Sequence, residues 1–210
     1  MLDRIVEPVA TGEADYAKGN RLRSASDRSG MSNWRLFGNA LLTALTRVAS
    51  GYWRMTDPQN GYTAISTEAL AEIGPRTFYS RYGFLNDVLV TLNAGEYTVV
   101  DVPMCATYGE ESSGIAYRTF VPGLSWLLLR RFAWRLRVSY LDEEFHPLVL
   151  CYLVGVVAVV AGAPLAVAGL FARSGTPGDG IGLTSLGAVS LLLGMVLDAR
   201  ENEGTVVRRR

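Results

Sequence analysis

Read by where its apolar residues fall, the chain has two regimes that meet near His146. Before that point, short runs switch between helical and strand-like spacing, punctuated by Gly, Pro and Asn. Trp34, Phe37, Leu41, Leu45 and Val48 recur at three- and four-residue steps and predict a helix from Asn33 to Val48. Leu2 to Val6 starts a helix that ends near Pro8 and Gly12, and Ala14 to Lys18 suits a short strand closed by Gly19-Asn20-Arg21. The polar stretch from Arg23 to Gly30 reads as a loop. Tyr62 to Ile65 suits a strand, and Ser66 suits the N-cap of a short helix carrying Leu70 and Ile73, since its hydroxyl can accept an orphan amide. A helix from Leu85 to Asn93 precedes a β-branched strand from Tyr97 to Met104, whose Pro103 suits an edge or a strand end.

Past the polar loop from Tyr108 to Gly114, the pattern from Leu124 to Arg137 is helical again. Leu128, Phe132 and Leu136 form an apolar stripe at successive i+4 positions, and Arg130, Arg131, Arg135 and Arg137 take the remaining arc near Trp126 and Trp134. A basic helix with Trp at its margins suits the lipid headgroup plane; packing on a soluble domain is the alternative. From Pro147 through Ala172 there is no Asp, Glu, Lys or Arg. That run can cross a hydrocarbon core of about 30 Å as a helix. Ile181 to Leu197 is a second, shorter apolar run, with Arg173 to Gly180 as the turn between them. The pair predicts a membrane hairpin. Arginines precede the first run and Arg208, Arg209 and Arg210 follow the second, whereas the turn offers Arg173 alone. The positive-inside bias then puts both termini in the cytoplasm, with two spans in the cell membrane. The tail from Glu201 to Arg210 is expected to be disordered and solvated.

Composition narrows the chemistry. Twenty basic and 20 acidic side chains in 210 residues cancel, so no global basic field argues for a nucleic-acid partner. Lys18 is the sole lysine. Cys105 and Cys151 lie far apart and read as two small buried hydrophobes rather than a disulfide framework. His146, the one histidine, has no Cys or His at ligand spacing and reads as an interfacial polar residue, so no metal site is expected from it. Asp142-Glu143-Glu144 reads as a solvated cluster beside the membrane. The N-terminus lacks the basic-then-apolar pattern of a signal peptide.

One loop gathers unusual chemistry: Asp57-Pro58-Gln59-Asn60-Gly61-Tyr62 puts an acid, a rigid Pro, two amides and a Gly between helical segments. Such a loop can hold a polar substrate, and it can equally be a plain turn. Its company includes Ala14 to Arg21, and Met31 to Asn39 with Arg35 and Gly38-Asn39. Ser50-Gly51-Tyr52-Trp53 leads into the loop itself, and Tyr82 to Asp87, Asp101-Val102-Pro103-Met104 and Tyr108 to Ser113 follow. In that order and spacing, residues 1–120 resemble the C-terminal part of membrane-anchored family 2 glycosyltransferases of the dolichol- or polyprenyl-phosphate sugar synthase type.

The resemblance implies an α/β fold: an incomplete GT-A (Rossmann-like) domain, then an interfacial helix and a two-helix transmembrane hairpin. Its parts would be an acceptor-side catalytic portion at 1–120, an interfacial region at 121–146, two spans within 147–198 and a basic cytoplasmic tail at 199–210. It also implies transfer of a sugar from a nucleotide-sugar donor to a polyprenyl or dolichyl phosphate at the cytoplasmic membrane face, with inversion. Such enzymes hold Mg²⁺ or Mn²⁺ through an Asp-x-Asp motif, which this chain lacks. A fragment, inactive alone, is therefore the expectation.

Site residues follow from the same resemblance. Arg21 stands where a Gly-x-Arg faces the donor phosphates, with Lys18 beside it; the alternatives are a surface arginine and a strand-edge charge. Asp57 matches an Asp-x-x-x-Gly-aromatic acceptor-side loop and would orient a sugar hydroxyl or the acceptor, with Gln59 and Asn60 assisting; a turn-capping Asp is the alternative. Asp87 stands where the general base is assigned, although an already anionic lipid phosphate needs less help from a base, and a helix-start acid favoured by the dipole is the alternative. Glu110 and Glu111 make the following loop acidic where relatives are often basic, which leaves Arg118, Arg130 and Arg131 to attract lipid phosphate or membrane lipids. A competing class is a non-catalytic, membrane-anchored interaction subunit of the same fold, paired with a separate nucleotide-binding subunit. A third is a plain two-span membrane protein whose cytoplasmic domain binds another protein.

Overall fold

A computed structural model describes residues 2–22, 33–74, 83–104, 117–142, 145–171 and 177–207, without the side chains of 33–35, 117–120 and 177. They fall into two units: Met1–Ser139 with Asn202–Arg210, and Tyr140–Glu201. In chain order the first unit holds α1 (Leu2–Ala10), β1 (Tyr16–Asn20), α2 (Asn33–Ser50), β2 (Thr63–Ile65), α3 (Thr67–Ile73), α4 (Phe84–Ala94), β3 (Val99–Pro103), α5 (from Tyr117) and β4 (Val206–Val207). Its small mixed sheet runs β2-β1-β3-β4, antiparallel between β1 and β2 and parallel elsewhere.

Strand alternation builds two cores. Tyr16, Val99 and Val206 point to one face and join Tyr52, Met55, Leu89 and Leu92. Ala17, Val100 and Val102 point to the other and are covered by Ile5 and Val9 of α1. Ser66 caps α3 as its sequence implies, its Oγ accepting from Ala69 N at 3.1 Å. Pro103 ends an internal strand: Met104 N, one residue on, carries the pairing to Asn20 O at 3.0 Å, so the missing proline amide does not open the ladder.

The C-terminal tail differs from the expectation of a solvated segment. Its β-branched pair Val206–Val207 lies parallel to Val99 and Val100 as β4 and sends one side chain to each core. Glu203 precedes it within a 3₁₀ turn and pairs with Arg54. Val206 is buried and Val207 partly so, and these contacts hold the stretch to the sheet. Arg208, Arg209 and Arg210 lie outside the described residues.

α5 (Tyr117–Tyr140) runs through Pro122-Gly123 instead of starting after them. Leu128, Leu124 and Leu127 pack with Ala49 and Val90, and Phe132 and Trp134 lie against them. The helix is therefore seated on α2 and α4. Two of its arginines point inward: Arg135 is fully buried, and Arg131 reaches α4. That leaves Arg130 and Arg137 on the exposed arc, beside an exposed Trp126 and Leu129.

The second unit is α6 (Leu148–Phe171) and α7 (Pro177–Glu201). Each contributes 24 residues long and apolar enough to cross a membrane, and at 1.5 Å per residue each exceeds a hydrocarbon core of about 30 Å. The helices approach at backbone distance. A Cβ on Gly162 would lie 2.6 Å from Thr184 N, and one on Gly180 2.2 Å from Ala166 N. Ser190 Oγ donates across to Cys151 O at 2.8 Å. Cys151 is a half-buried free thiol, not a fully buried one, while Cys105 lies outside the described residues. α7 starts at Pro177, which shortens the expected turn, because Pro suits a first helical position where no amide partner is needed. At the other end of this unit, Tyr140 Oη donates to the buried Asp198 Oδ1 at 2.8 Å, and His146 Nε2 lies 3.4 Å from Glu201.

Candidate functional site

On one sheet face the side chains of β1 and β3 turn from apolar to polar toward their carboxyl ends: Tyr16, then Lys18, then Asn20; Val99, then Asp101. Carboxyl ends of parallel strands are where open α/β sheets bind ligands. Lys18 and Asp101 are register partners, and Lys18 Nζ lies 2.8 Å from Asp101 Oδ1 with the lysine 1% exposed. The same ammonium donates to Thr56 O and to Asp57 O, the latter at 3.1 Å. Asp101 Oδ2 accepts from Thr56 N at 2.7 Å and Thr56 Oγ1 at 2.8 Å. A buried and a half-buried strand charge thus fasten the start of the polar loop to the sheet.

Within that loop Asp57 takes a left-handed backbone, φ 50°, uncommon outside Gly and tolerated by Asp. Its carboxylate is gripped by Arg21 through Nε to Oδ2 at 2.8 Å and Nη2 to Oδ1 at 2.9 Å, with Arg21 N adding a third bond at 3.0 Å. Burial pushes the Asp57 carboxyl upward, but these bonds, the Arg21 charge and Lys18 outweigh it and hold it below its usual range. Asn60 closes the turn: its Oδ1 accepts Tyr62 N at 3.0 Å, and its Nδ2 reaches Asp57 Oδ2 at 3.4 Å and Met104 Sδ at 3.0 Å. Gly19 makes room for it, because a Cβ there would sit 2.7 Å from Asn60 Nδ2 and 2.2 Å from Met104 Sδ.

Gln59 links the loop to the next element. Its Nε2 donates to Asn86 Oδ1 at 2.6 Å, and Asn86 Nδ2 donates to Thr46 Oγ1 at 2.6 Å. This explains the facing of α2. Thr43, Thr46, Ala49 and Ser50 are its buried side, whereas Phe37, Leu41 and Leu45 stand 59%, 51% and 42% exposed. The apolar period predicted the helix, but the stripe faces outward because the inner face serves the polar cluster. Asp87 follows Asn86 in the first turn of α4, is 3% exposed, and pairs with Arg131 of α5.

The structure therefore gathers Lys18, Arg21, Asp57, Gln59 and Asn60 into one network and reaches Asp87 through its neighbour Asn86. Arg118 lies in α5 with its side chain outside the described residues. Sequence reasoning quoted Asp101 and Asn86 only within the resembling motifs, without a role, and missed Thr56 and the inward role of Arg131. Asp101 was findable, since alternation puts it on the Val99 face beside Lys18; the direction of Arg131 depends on how α5 packs. Among the described residues no three of His, Cys, Asp and Glu cluster to hold a metal ion. Asp57, Asp87 and Asp101 each already carry a cationic partner. The described residues do not fit a divalent cation.

No family model matches the chain, and no solved structure matches it. Over 109 residues it is 25% identical to the UDP-N-acetylglucosamine–dolichyl-phosphate N-acetylglucosaminyltransferase of Methanococcus voltae, covering 52% of this chain and 43% of that protein. The chain thus spans less than half the length of that relative. The similarity relates the chain to a glycosyltransferase, and the two bilayer-length helices mark a membrane protein.

Proposed function

We propose that the chain serves transfer of a sugar from a nucleotide-sugar donor to a polyprenyl or dolichyl phosphate at the cytoplasmic membrane face. The observation that carries this reading is the 109-residue similarity to a dolichyl-phosphate transferase, in a chain with two helices long enough to span a bilayer. In this reading the first unit is the acceptor-side part of a family 2, GT-A-like domain. An oxygen of the lipid phosphate attacks the anomeric carbon as the bond to the nucleoside diphosphate breaks, and that bond's electron pair leaves with the diphosphate.

In this reading the chain's own residues divide the work as follows. Lys18 and Asp101 hold the loop; Arg21, fixed by Asp57 and one-quarter exposed, offers a guanidinium to phosphate; Gln59 and Asn60 shape the acceptor side; Asp87 orients the acceptor or takes its proton. Phe37, Leu41 and Leu45 of α2, with Trp126 and Leu129 of α5, give this unit exposed apolar surface suited to the membrane interface.

The test is a chromosomal deletion, followed by an assay of native membranes for transfer of labelled sugar from a panel of nucleotide sugars to added polyprenyl phosphate. Loss of one lipid-linked product, restored by the gene, is expected; unchanged transfer across the panel sinks the proposal. The ion-paired state of all three acids favours a second reading, a non-catalytic membrane-anchored subunit that works with a separate nucleotide-binding protein. Under that reading deletion abolishes transfer, but Asp87→Asn does not, and the tagged chain copurifies with the partner.

A further inference from the structure

We propose that Arg131 is the positioning residue for Asp87, so that α5 sets the reach of the candidate catalytic carboxylate. The inference rests on the reading of Asp87 as that carboxylate. Arg131 Nε pairs with Asp87 Oδ1, and Arg131 Nη2 donates to Thr91 Oγ1 at 2.6 Å. Thr91 Oγ1 in turn donates to Asp87 O at 2.9 Å. One guanidinium thus bridges two positions one turn apart on α4, which fixes its height and rotation against that helix. A further contact comes from its own helix: Arg131 Cζ lies over the Trp134 ring, 4.3 Å from its centroid.

A second arginine fixes the helix that carries the first. Arg135, one turn on, donates from Nε to Ala49 O at 3.0 Å and from Nη1 to Asn93 Oδ1 at 3.3 Å. Gly51, at φ +77°, leaves it space, since a Cβ there would lie 2.6 Å from Nη1. α5 therefore meets α4 at Asp87, Thr91 and Asn93 and meets the end of α2 at Ala49, with its outer side left to Trp126, Leu129 and Arg130. Asp87 is 3% exposed, so its carboxylate has little freedom to find another geometry once the pair is broken.

The purely structural alternative is a buried pair that holds two helices together and no more. The two roles separate in kinetics. Chromosomal variants in native membranes, normalised to the amount of chain, are assayed for kcat and for KM of both substrates. If Arg131 positions Asp87, Arg131→Gln lowers kcat about a hundredfold, the scale of a misplaced reacting group, with both KM values unchanged. Arg131→Lys, a point charge without the fork, recovers only part of that loss. Asp87→Asn with Arg131→Gln is no slower than Asp87→Asn alone, because the two act as a unit. Wild-type kcat in Arg131→Lys, or a double variant slowed by the product of the single effects, overturns the inference. Should Arg131→Gln fail to accumulate, Arg131→Lys and its double variant with Asp87→Asn decide it alone. Wild-type turnover in Asp87→Asn removes the assignment of Asp87, whatever Arg131 does.

Discussion

At the scale of single residues, the chain neutralises each acid of its site with a cation from another segment, and the clearest case is Arg21 with Asp57. The Asp57 side chain is fully buried and the Arg21 side chain only one-quarter exposed, so removing either partner strands a charge. Asp57→Asn is expected to cost about 3 kcal/mol at neutral pH, the lower end for breaking a buried pair, measured by thermal unfolding of the detergent-solubilised chain. The pH dependence has a definite sign. Because Asp57 is held below its ordinary value of 3.8 when folded, the pair's contribution is complete above that value and is lost as pH falls through the lower, folded one. Asp57→Asn should therefore flatten the acid limb of the stability curve; an unchanged limb would show that other groups carry it. Gly19→Ala tests the same loop sterically. The added methyl must displace Asn60 or Met104, so stability should fall by about 1–3 kcal/mol, while an Ala variant as stable as wild type would mean the loop shifts freely.

Elements were more legible than their orientation, and the reason is physical. Period alone fixes a helix, so α2, α4 and the two long apolar helices could be placed, and Ser66 could be named as a cap. Which way a helical stripe faces depends on partners far along the chain. α2 turns Thr46 inward because Asn86 needs it, and α5 turns Arg131 and Arg135 inward because Asp87, Asn93 and the end of α2 accept them. On α2 this leaves the predicted stripe of Phe37, Leu41 and Leu45 outside, whereas on α5 the predicted stripe of Leu128 and Leu136 stays buried and it is the two arginines that depart from the expected arc. The loop from Asp57 to Tyr62 was visible as a cluster of unusual residues, yet its anchors Lys18 and Asp101 meet only through the register of β1 and β3. The hairpin makes its own prediction. Gly162 and Gly180 admit the facing backbones of α7 and α6, the mode by which small residues join helices in membranes. Gly162→Leu should separate the pair, read as lost crosslinking between Cys151 and a cysteine placed at Ser190, which face each other across the two helices; retained crosslinking would mean the glycines are incidental.

For the whole molecule, the order in which the chain visits its two units matters most. It leaves the first unit at Ser139, traces α6 and α7, and returns at Asn202 to add β4 beside β3. The tail is thus the last strand of a sheet begun near the N-terminus, and the paired apolar helices are an excursion within that unit's sequence. If those helices span the bilayer, both ends of the excursion must lie on the same side of it, whatever the charge bias of the flanking loops. Cysteines introduced at Arg137 and Glu203 should then react together with a membrane-impermeant maleimide from one face, and a cysteine at Asp179, in the first turn of α7, from the opposite face. Labelling of all three from a single face would mean that the helices do not cross. The returning strand also carries a stability cost if removed. Val206 is 8% exposed and shares the core with Val99, so ending the chain after Asn202 gives up one valine to each core and uncovers the β3 edge. By roughly 1.5–3 kcal/mol for a well-buried side chain, that truncation should lower the unfolding midpoint of the first unit and raise its protease sensitivity, while leaving the hairpin's crosslinking pattern intact. A truncated chain that unfolds at the wild-type midpoint would show that β4 contributes nothing to the sheet it joins.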